Sequence, residues 1–284
     1  MLKVILPDEY SFCFGVERAL ELARKHMQNG NSFDTLGEII HNPHVVKEFE
    51  KKGIRVINSP EESHKKKILI RSHGVPPSVI EKIKSLGKEI IDATCPFVKH
   101  AHDSARKLID EGYFLLIIGK KDHPEVIGIQ GYAYGKGCVV LSESDVEKLN
   151  LKGKKVGLVS QTTMLLGNVQ EVITAVLKQN PKEVRYINTR CSTTERRQNA
   201  TKELAKKVDV MVIVGGRHSS NTNRLYEIAK EHAPAAYLVE SHEELKPEWF
   251  EKAKIVGITG GASTPPEDVL KVKETIEKFS QGGK

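Results

Sequence analysis

EIIDATCPFVKHAHDSARKLIDEGYFLLIIGKKDH, residues 89–123, contains one full period of the pattern from which this chain is built. A short extended run ends at Cys95, and a helical stretch closed by Gly112 follows. The apolar run 114–118 comes next, and a polar loop begins at His123. Cys95 and His123 are 28 residues apart, and the same interval separates Cys13 from His41 and Cys191 from Ser219. Each of these cysteines closes an extended run and opens a helix. One structural unit used three times accounts for that regularity.

Outward from this stretch, each cysteine-led helix leads to a strand: 36–40, 114–118 and 210–214. A second helix follows, clearest at 44–52 and 222–232, then a short strand at 54–57, 138–141 and 236–239. A further strand at 68–71, 155–159 and 255–259 ends in SHGVP, SQTTM and TGGASTP, each ahead of a third helix. Repeated strand–helix alternation specifies α/β architecture with mainly parallel sheets, whose ligands bind beyond the carboxyl ends of the strands. The expected fold is three pseudo-repeated small α/β domains around a central cavity. Their boundaries are 13–95, 96–190 and 191–284. Units one and two each close with a strand, at 89–93 and 184–188, whereas the third ends in a helix near 266–279. The unpaired strand 2–6 therefore joins the third domain, which segment 1–12 completes.

The 284 residues suffice for a substantial core. No apolar run is long enough to span a bilayer, and the N-terminus lacks a secretion signal, so the expectation is a cytoplasmic protein with no membrane partner. A charge of +7 is a mild basic bias, and 6% aromatic residues speak against a nucleic-acid partner. It also suits attraction of an anionic substrate or an acidic donor protein.

Four cysteines without close spacing do not form a secreted disulfide framework. Cys138, in a short strand without a counterpart cysteine, reads as a buried structural residue. Cys13, Cys95 and Cys191 read as metal ligands because their spacing and their strand-to-helix setting match. Zinc and iron–sulfur chemistry compete for them. Structural zinc usually takes four ligands, often in CxxC pairs, and none exists here. A cluster held by three thiolates leaves one iron without a protein ligand, open to a substrate oxygen. The loops IIHNPH, RSHGVP, KKDHPEV, SQTT, RHSSNTN and GGAST supply His, Ser, Thr and Asn at helix starts, suited to a small diphosphate. Gly74, Gly260 and Gly261 would allow close backbone approach. Any one of these loops alone is a plain helix cap. Glu125, two residues past His123, either complements a helix dipole or donates a proton.

CFGVERA, GEIIHNP, RSHGVP, DATCP, HPEV, SQTT, SSNTNRL and GGAST together resemble the 4-hydroxy-3-methylbut-2-enyl diphosphate reductase family of the non-mevalonate isoprenoid pathway. The resemblance spans essentially the whole chain. It implies an iron–sulfur oxidoreductase that removes the substrate hydroxyl with two electrons at a cluster with an open iron site. The products would be isopentenyl and dimethylallyl diphosphate. It implies a [4Fe-4S] cluster on Cys13, Cys95 and Cys191, found as [3Fe-4S] after oxidation. It implies Glu125 as proton donor with Thr162 (or the adjacent Thr163) beside the substrate hydroxyl. His41, His73, Ser219, Ser220, Asn221 and Ser263 would bind the diphosphate, with His123 close by. The implied partners are that substrate and a ferredoxin- or flavodoxin-type electron donor, with the protein acting as a monomer. Two other classes stand against it: a zinc-dependent hydrolase of a phosphorylated substrate, and a phosphate- or RNA-binding module.

Overall fold

Each cysteine-led repeat builds one parallel sheet. The computed structural model describes residues 2–30, 32–40 and 42–281. Strand β1 (Lys3–Ile5) and helix α1 (Phe14–Gln28) precede β2 (Phe33–Leu36), α2 (Pro43–Lys51), β3 (Val56–Ile57), β4 (Lys67–Ile70), α3 (Pro77–Ser85) and β5 (Glu89–Asp92). Helix α4 (Pro96–Asp110) leads into β6 (Phe114–Ile118), α5 (Pro124–Tyr132), β7 (Cys138–Val140), α6 (Glu143–Glu147), β8 (Lys155–Ser160), α7 (Leu166–Lys178) and β9 (Glu183–Tyr186). Helix α8 (Ser192–Ala205) opens the last stretch, β10 (Val210–Val214), α9 (Ser220–His232), β11 (Ala235–Val239), β12 (Ile255–Gly260) and α10 (Pro266–Gln281).

Among the described residues the strands form three four-stranded sheets, ordered β3-β2-β4-β5, β7-β6-β8-β9 and β11-β10-β12-β1. Every pairing is parallel. The order is the same each time, and in the third sheet β1 takes the edge held by β5 and β9 in the others, with Val4 opposite Val256. Parallel neighbours need a crossover, and helices supply it. Helices on the faces bury the central strands on both sides, which is why FLLII and VMVIV are unbroken apolar runs.

The chain divides into two compact units. One comprises Met1–Glu17, Ile40–Lys47 and Ser192–Lys284, and contains the β1 sheet. The other comprises Arg18–Ile39 and Glu48–Cys191, and contains the other two sheets. In the first, Val212, Ile258 and Val272 are part of an apolar cluster on one side of the sheet, and Met211, Ile213 and Leu225 of another. In the second, Leu116, Leu158 and Val172 pack on one face of the β6 sheet, and Leu115, Ile117 and Ile129 on the other. Among the described residues no helix is long and apolar enough to cross a membrane.

The first predicted strand is displaced. Sequence patterning places it at 36–40, but β2 runs over Phe33–Leu36. Gly37 turns out of the sheet at φ +74°, and Ile39 and Ile40 are buried outside any strand. Asp34 disguised the true strand, because a fully buried carboxylate is unexpected there. Its Oδ2 accepts from Ser63 Oγ at 2.8 Å and Arg55 Nη2 at 3.2 Å, which replaces part of the water it loses, while among the described residues Oδ1 has no hydrogen-bond partner. Cys138 is only partly buried, packed at the margin of the Leu116 cluster, because β7 is an edge strand.

Candidate active site

The three cysteines share one backbone arrangement. The N–H of Cys95 donates to Ser72 O at 2.9 Å, that of Cys191 to Thr162 O at 2.9 Å, and that of Cys13 to Ala262 O at 3.0 Å. Each acceptor lies in the loop that follows the neighbouring strand (β4, β8 or β12). Every cysteine is thus fastened to a polar loop at the carboxyl edge of its sheet. In DATC and NTRC a further device sets the turn: Asp92 Oδ1 accepts from Thr94 N at 2.9 Å, and Asn188 Oδ1 from Arg190 N at 3.2 Å. The helix begins at the next residue in all three cases, placing each cysteine at a helix N-terminus.

Matched glycines complete the repeat. Gly37, Gly119 and Gly215 each lie 24 residues past a cysteine. Their N–H groups donate to Ile57 O, Val140 O and Val239 O at 2.8, 3.0 and 2.9 Å. A β-carbon on Gly215 would stand 2.5 Å from Thr264 Oγ1 and 2.9 Å from Thr222 Oγ1, so only glycine permits that approach.

Within the second unit, His73, His123, Glu125, Thr162 and Cys191 form a connected set. His123 caps α5: its Nδ1 accepts from Glu125 N at 3.2 Å, leaving Nε2 as the N–H of the neutral ring. The His73 and His123 rings meet edge to face, 5.6 Å between centroids. Glu125 is 2% exposed. Its Oε1 accepts from Thr162 N at 2.6 Å and its Oε2 from Thr162 Oγ1 at 2.9 Å. Burial pushes the carboxyl up to about 7, and the two Thr162 hydrogen bonds oppose that rise without cancelling it. The neighbouring Thr163 Oγ1 accepts from Gln161 Nε2 at 3.0 Å instead. Because Thr162 O also accepts from Cys191 N, one residue links the acid to a cysteine.

The first unit holds Cys13, Ser219, Ser220, Asn221 and Ser263. Ser219 caps α9, its Oγ accepting from Thr222 N at 3.3 Å. Asn221 is 5% exposed, yet among the described residues neither of its amide atoms has a hydrogen-bond partner. A buried amide with four unmade hydrogen bonds is suited to receive a polar ligand. Ser263 is buried in the loop after β12, where Thr264 Oγ1 donates to Val214 O at 2.8 Å. His41 lies outside the described residues.

Some expectations change. His123 and Ser219 are real helix caps as well as candidate site residues. Gly74 and Gly260 do allow close approach, there of side chains: a β-carbon would meet His102 Cε1 at 2.9 Å and Val269 Cγ2 at 2.8 Å respectively. Two buried residues gave no sequence signal. Arg197, 1% exposed, donates from Nη1 to Gly260 O at 3.0 Å, although ERRQ reads as a solvated helix face. His102, 3% exposed, sits inside a helix whose pattern calls for nothing but packing.

None of the four cysteines is in a disulfide, and three share the same junction. Cluster ligands bind separate irons, which suits three equivalent thiols with no CxxC pair. Among the described residues, no three His, Cys, Asp or Glu side chains are grouped around the position of one ion. The cysteine chemistry fits the cluster.

The LytB protein family model matches residues 4–277. A 4-hydroxy-3-methylbut-2-enyl diphosphate reductase of Aquifex aeolicus is 43% identical over 99% of this chain and 98% of its own. One of Campylobacter hominis is 43% identical over 97% and 98%. Among solved structures, an (E)-4-hydroxy-3-methyl-but-2-enyl diphosphate reductase described as the terminal enzyme of the non-mevalonate pathway has 42% identity. Its TM-score is 0.73, over 98% of this chain and all of that one. The Plasmodium falciparum E-1-hydroxy-2-methyl-but-2-enyl-4-diphosphate reductase is 27% identical with TM-score 0.91, over 96% and 87%. Nothing in these matches supports the zinc-hydrolase alternative.

Proposed function

The chain belongs to the LytB protein family and acts as a 4-hydroxy-3-methylbut-2-enyl diphosphate reductase, and we propose that Glu125 supplies the proton that carries off the substrate hydroxyl as water. The observation that carries this reading is a fully enclosed carboxyl, raised to about 7 and bound twice by one threonine. At neutral pH a substantial fraction is protonated, which an ordinary glutamate never offers. The Thr162 N–H holds Oε1, so the acidic proton resides on Oε2 and is given to Thr162 Oγ1. That hydroxyl then turns its own proton outward to the leaving oxygen.

Cys13, Cys95 and Cys191 would hold an iron–sulfur cluster, a [4Fe-4S] cluster on the three-thiolate reading. When bound, it supplies the two electrons and, at an iron without a protein ligand, Lewis acidity toward the substrate hydroxyl. His73, Ser219, Ser220, Asn221 and Ser263, with His41, bind the diphosphate, and His123 Nε2–H donates beside it. The helix N-termini of α5 and α9 favour that anion. The buried Asn221 amide, without a hydrogen-bond partner among the described residues, supports its place among them. Uptake of two electrons together with loss of water would leave an allylic carbanion equivalent, and a second proton added at either end would give isopentenyl or dimethylallyl diphosphate. The electrons come from a small donor of the ferredoxin or flavodoxin kind, in keeping with the basic balance of +7.

Glu125→Gln tests the assignment. It keeps the volume and one acceptor for the Thr162 N–H, and turns an amide N–H toward Thr162 Oγ1, but has no acidic proton. Substrate affinity is expected to stay within about threefold while turnover falls by about 10²–10⁴, the usual range for loss of a general acid. In the wild type, turnover declines as pH rises through about 7, because the donor is the protonated form. Near-normal turnover of the variant would remove Glu125 from this role.

A further inference from the structure

Resting on the reading of Glu125 and the two histidines above, we propose that His102 is a positioning residue. Its imidazole sets how closely the helix carrying His123 and Glu125 approaches the loop carrying His73. His102 lies on α4, seven residues past Cys95, and is 3% exposed. It stands apart from the apolar contacts of that helix, in which Ala101, Ala105 and Leu108 cluster with Val126 and Ile129 of α5.

The ring edge fits between two glycines. A β-carbon on Gly74, the residue after His73, would stand 2.9 Å from His102 Cε1. One on Gly128, three residues past Glu125, would stand 2.8 Å from His102 Nε2. Gly74 has φ +70°, so its glycine identity serves both the turn and the contact. The ring face is also held. Tyr132, the last residue of α5, stacks on it at 4.3 Å with planes 12° apart, and the Arg106 guanidinium lies 4.9 Å from the same tyrosine ring. Gly128 and Tyr132 are four apart and share one face of α5. His102 therefore touches that helix at two heights, fixing both its distance and its rotation. Rotation of α5 would carry Glu125 away from Thr162 and His123 away from His73.

Burial of apolar surface does not account for a histidine at this point, since an apolar side chain would bring in no nitrogen that needs a partner. Among the described residues Nε2 has no hydrogen-bond partner, an unfavourable circumstance for a buried nitrogen. Burial holds the ring neutral, its pKa pushed down to about 4, so it acts by shape across the working pH range. An imidazole fits a gap that a six-membered ring would overfill.

The test is a double-mutant cycle on the cluster-loaded protein, using Gly128→Ala and His102→Ala, with kcat, KM, the pH profile and thermal midpoint measured for each. Gly128→Ala drives a methyl into the imidazole. It should lower kcat at least tenfold, raise KM severalfold, and move the fall in activity away from pH 7. His102→Ala alone loosens α5 and should also lower kcat. Combined, the truncated ring makes room for the methyl, and kcat should recover at least threefold over Gly128→Ala alone. A merely structural role would shift the thermal midpoint and leave kcat, KM and the pH profile in place. That result, or losses that simply multiply, would overturn the proposal. Should Gly128→Ala fail to fold, His102→Ala is decisive: unchanged kcat and pH profile would refute it. The Glu125→Gln control separates the two claims. Normal turnover there sinks the proton-donor reading, while the cycle still reports the approach of the two segments through KM.

Discussion

Glu125 and His102 are both buried, and burial moves each toward its neutral form, up to about 7 for the carboxyl and down to about 4 for the imidazole. Their effects on stability have opposite signs. Glu125 contributes stability that is complete below its ordinary 4.5 and is lost as pH rises through about 7. His102, flanked by Asp92, Lys99, Asp103 and Arg106, contributes stability that is complete above its ordinary 6.5 and is lost as pH falls through about 4. Between pH 4.5 and 6.5 the two slopes cancel. Glu125→Gln removes one of them. Relative to wild type, its unfolding free energy should therefore fall by an additional ~1.4 kcal/mol per pH unit as pH drops through that window. Urea unfolding at pH 5 and 6.5 checks this; equal slopes in the two proteins would contradict it. HPEV marked Glu125 in the sequence, but not its acidity, because burial comes from elements far along the chain. SQTT likewise could not choose between Thr162 and Thr163. The backbone turn decides which hydroxyl meets the carboxylate.

At the level of elements, unbroken apolar strands such as FLLII announced the α/β class, since central parallel strands are covered on both faces. β2 escaped because it carries a buried Asp34, whose Oδ2 is bound by Ser63 and Arg55, residues 29 and 21 positions away. The tie between each cysteine and its polar loop was equally hidden, because it uses only backbone atoms. Its consequence is testable at β1. Among the described residues this short edge strand pairs with β12 alone, and it leads to Cys13, whose N–H is bonded to Ala262 O. Lys3→Pro removes the ladder donor that bonds Lys254 O at 2.9 Å, at a cost of about 1–3 kcal/mol if that carbonyl stays unpaired. Iron retention should drop by more than half, while far-ultraviolet circular dichroism changes little. Full iron loading would show that β1 does not hold Cys13 in place.

For the molecule as a whole, the threefold repetition was readable from the 28-residue interval because each unit keeps the distance from its cysteine to its polar loop, whereas the shared sheet order is visible only in the strand pairing. The +7 charge, unremarkable as composition, gains meaning beside a reaction that needs an anionic substrate and an outside electron source. If an acidic donor protein docks through that charge, turnover driven by it should fall severalfold between 20 and ~300 mM salt, whereas turnover driven by dithionite should not. Equal salt dependence would remove electrostatics from donor docking. The central claim is that three matched cysteines hold an iron–sulfur cluster at which the substrate reacts. The most direct measurement is iron and acid-labile sulfide content with electron paramagnetic resonance, on protein purified without oxygen, beside Cys191→Ser. The account predicts roughly four irons per chain, a signal altered by the hydroxylated diphosphate, and loss of both in the variant. Zinc alone, or undiminished reductase activity with no metal, would contradict it.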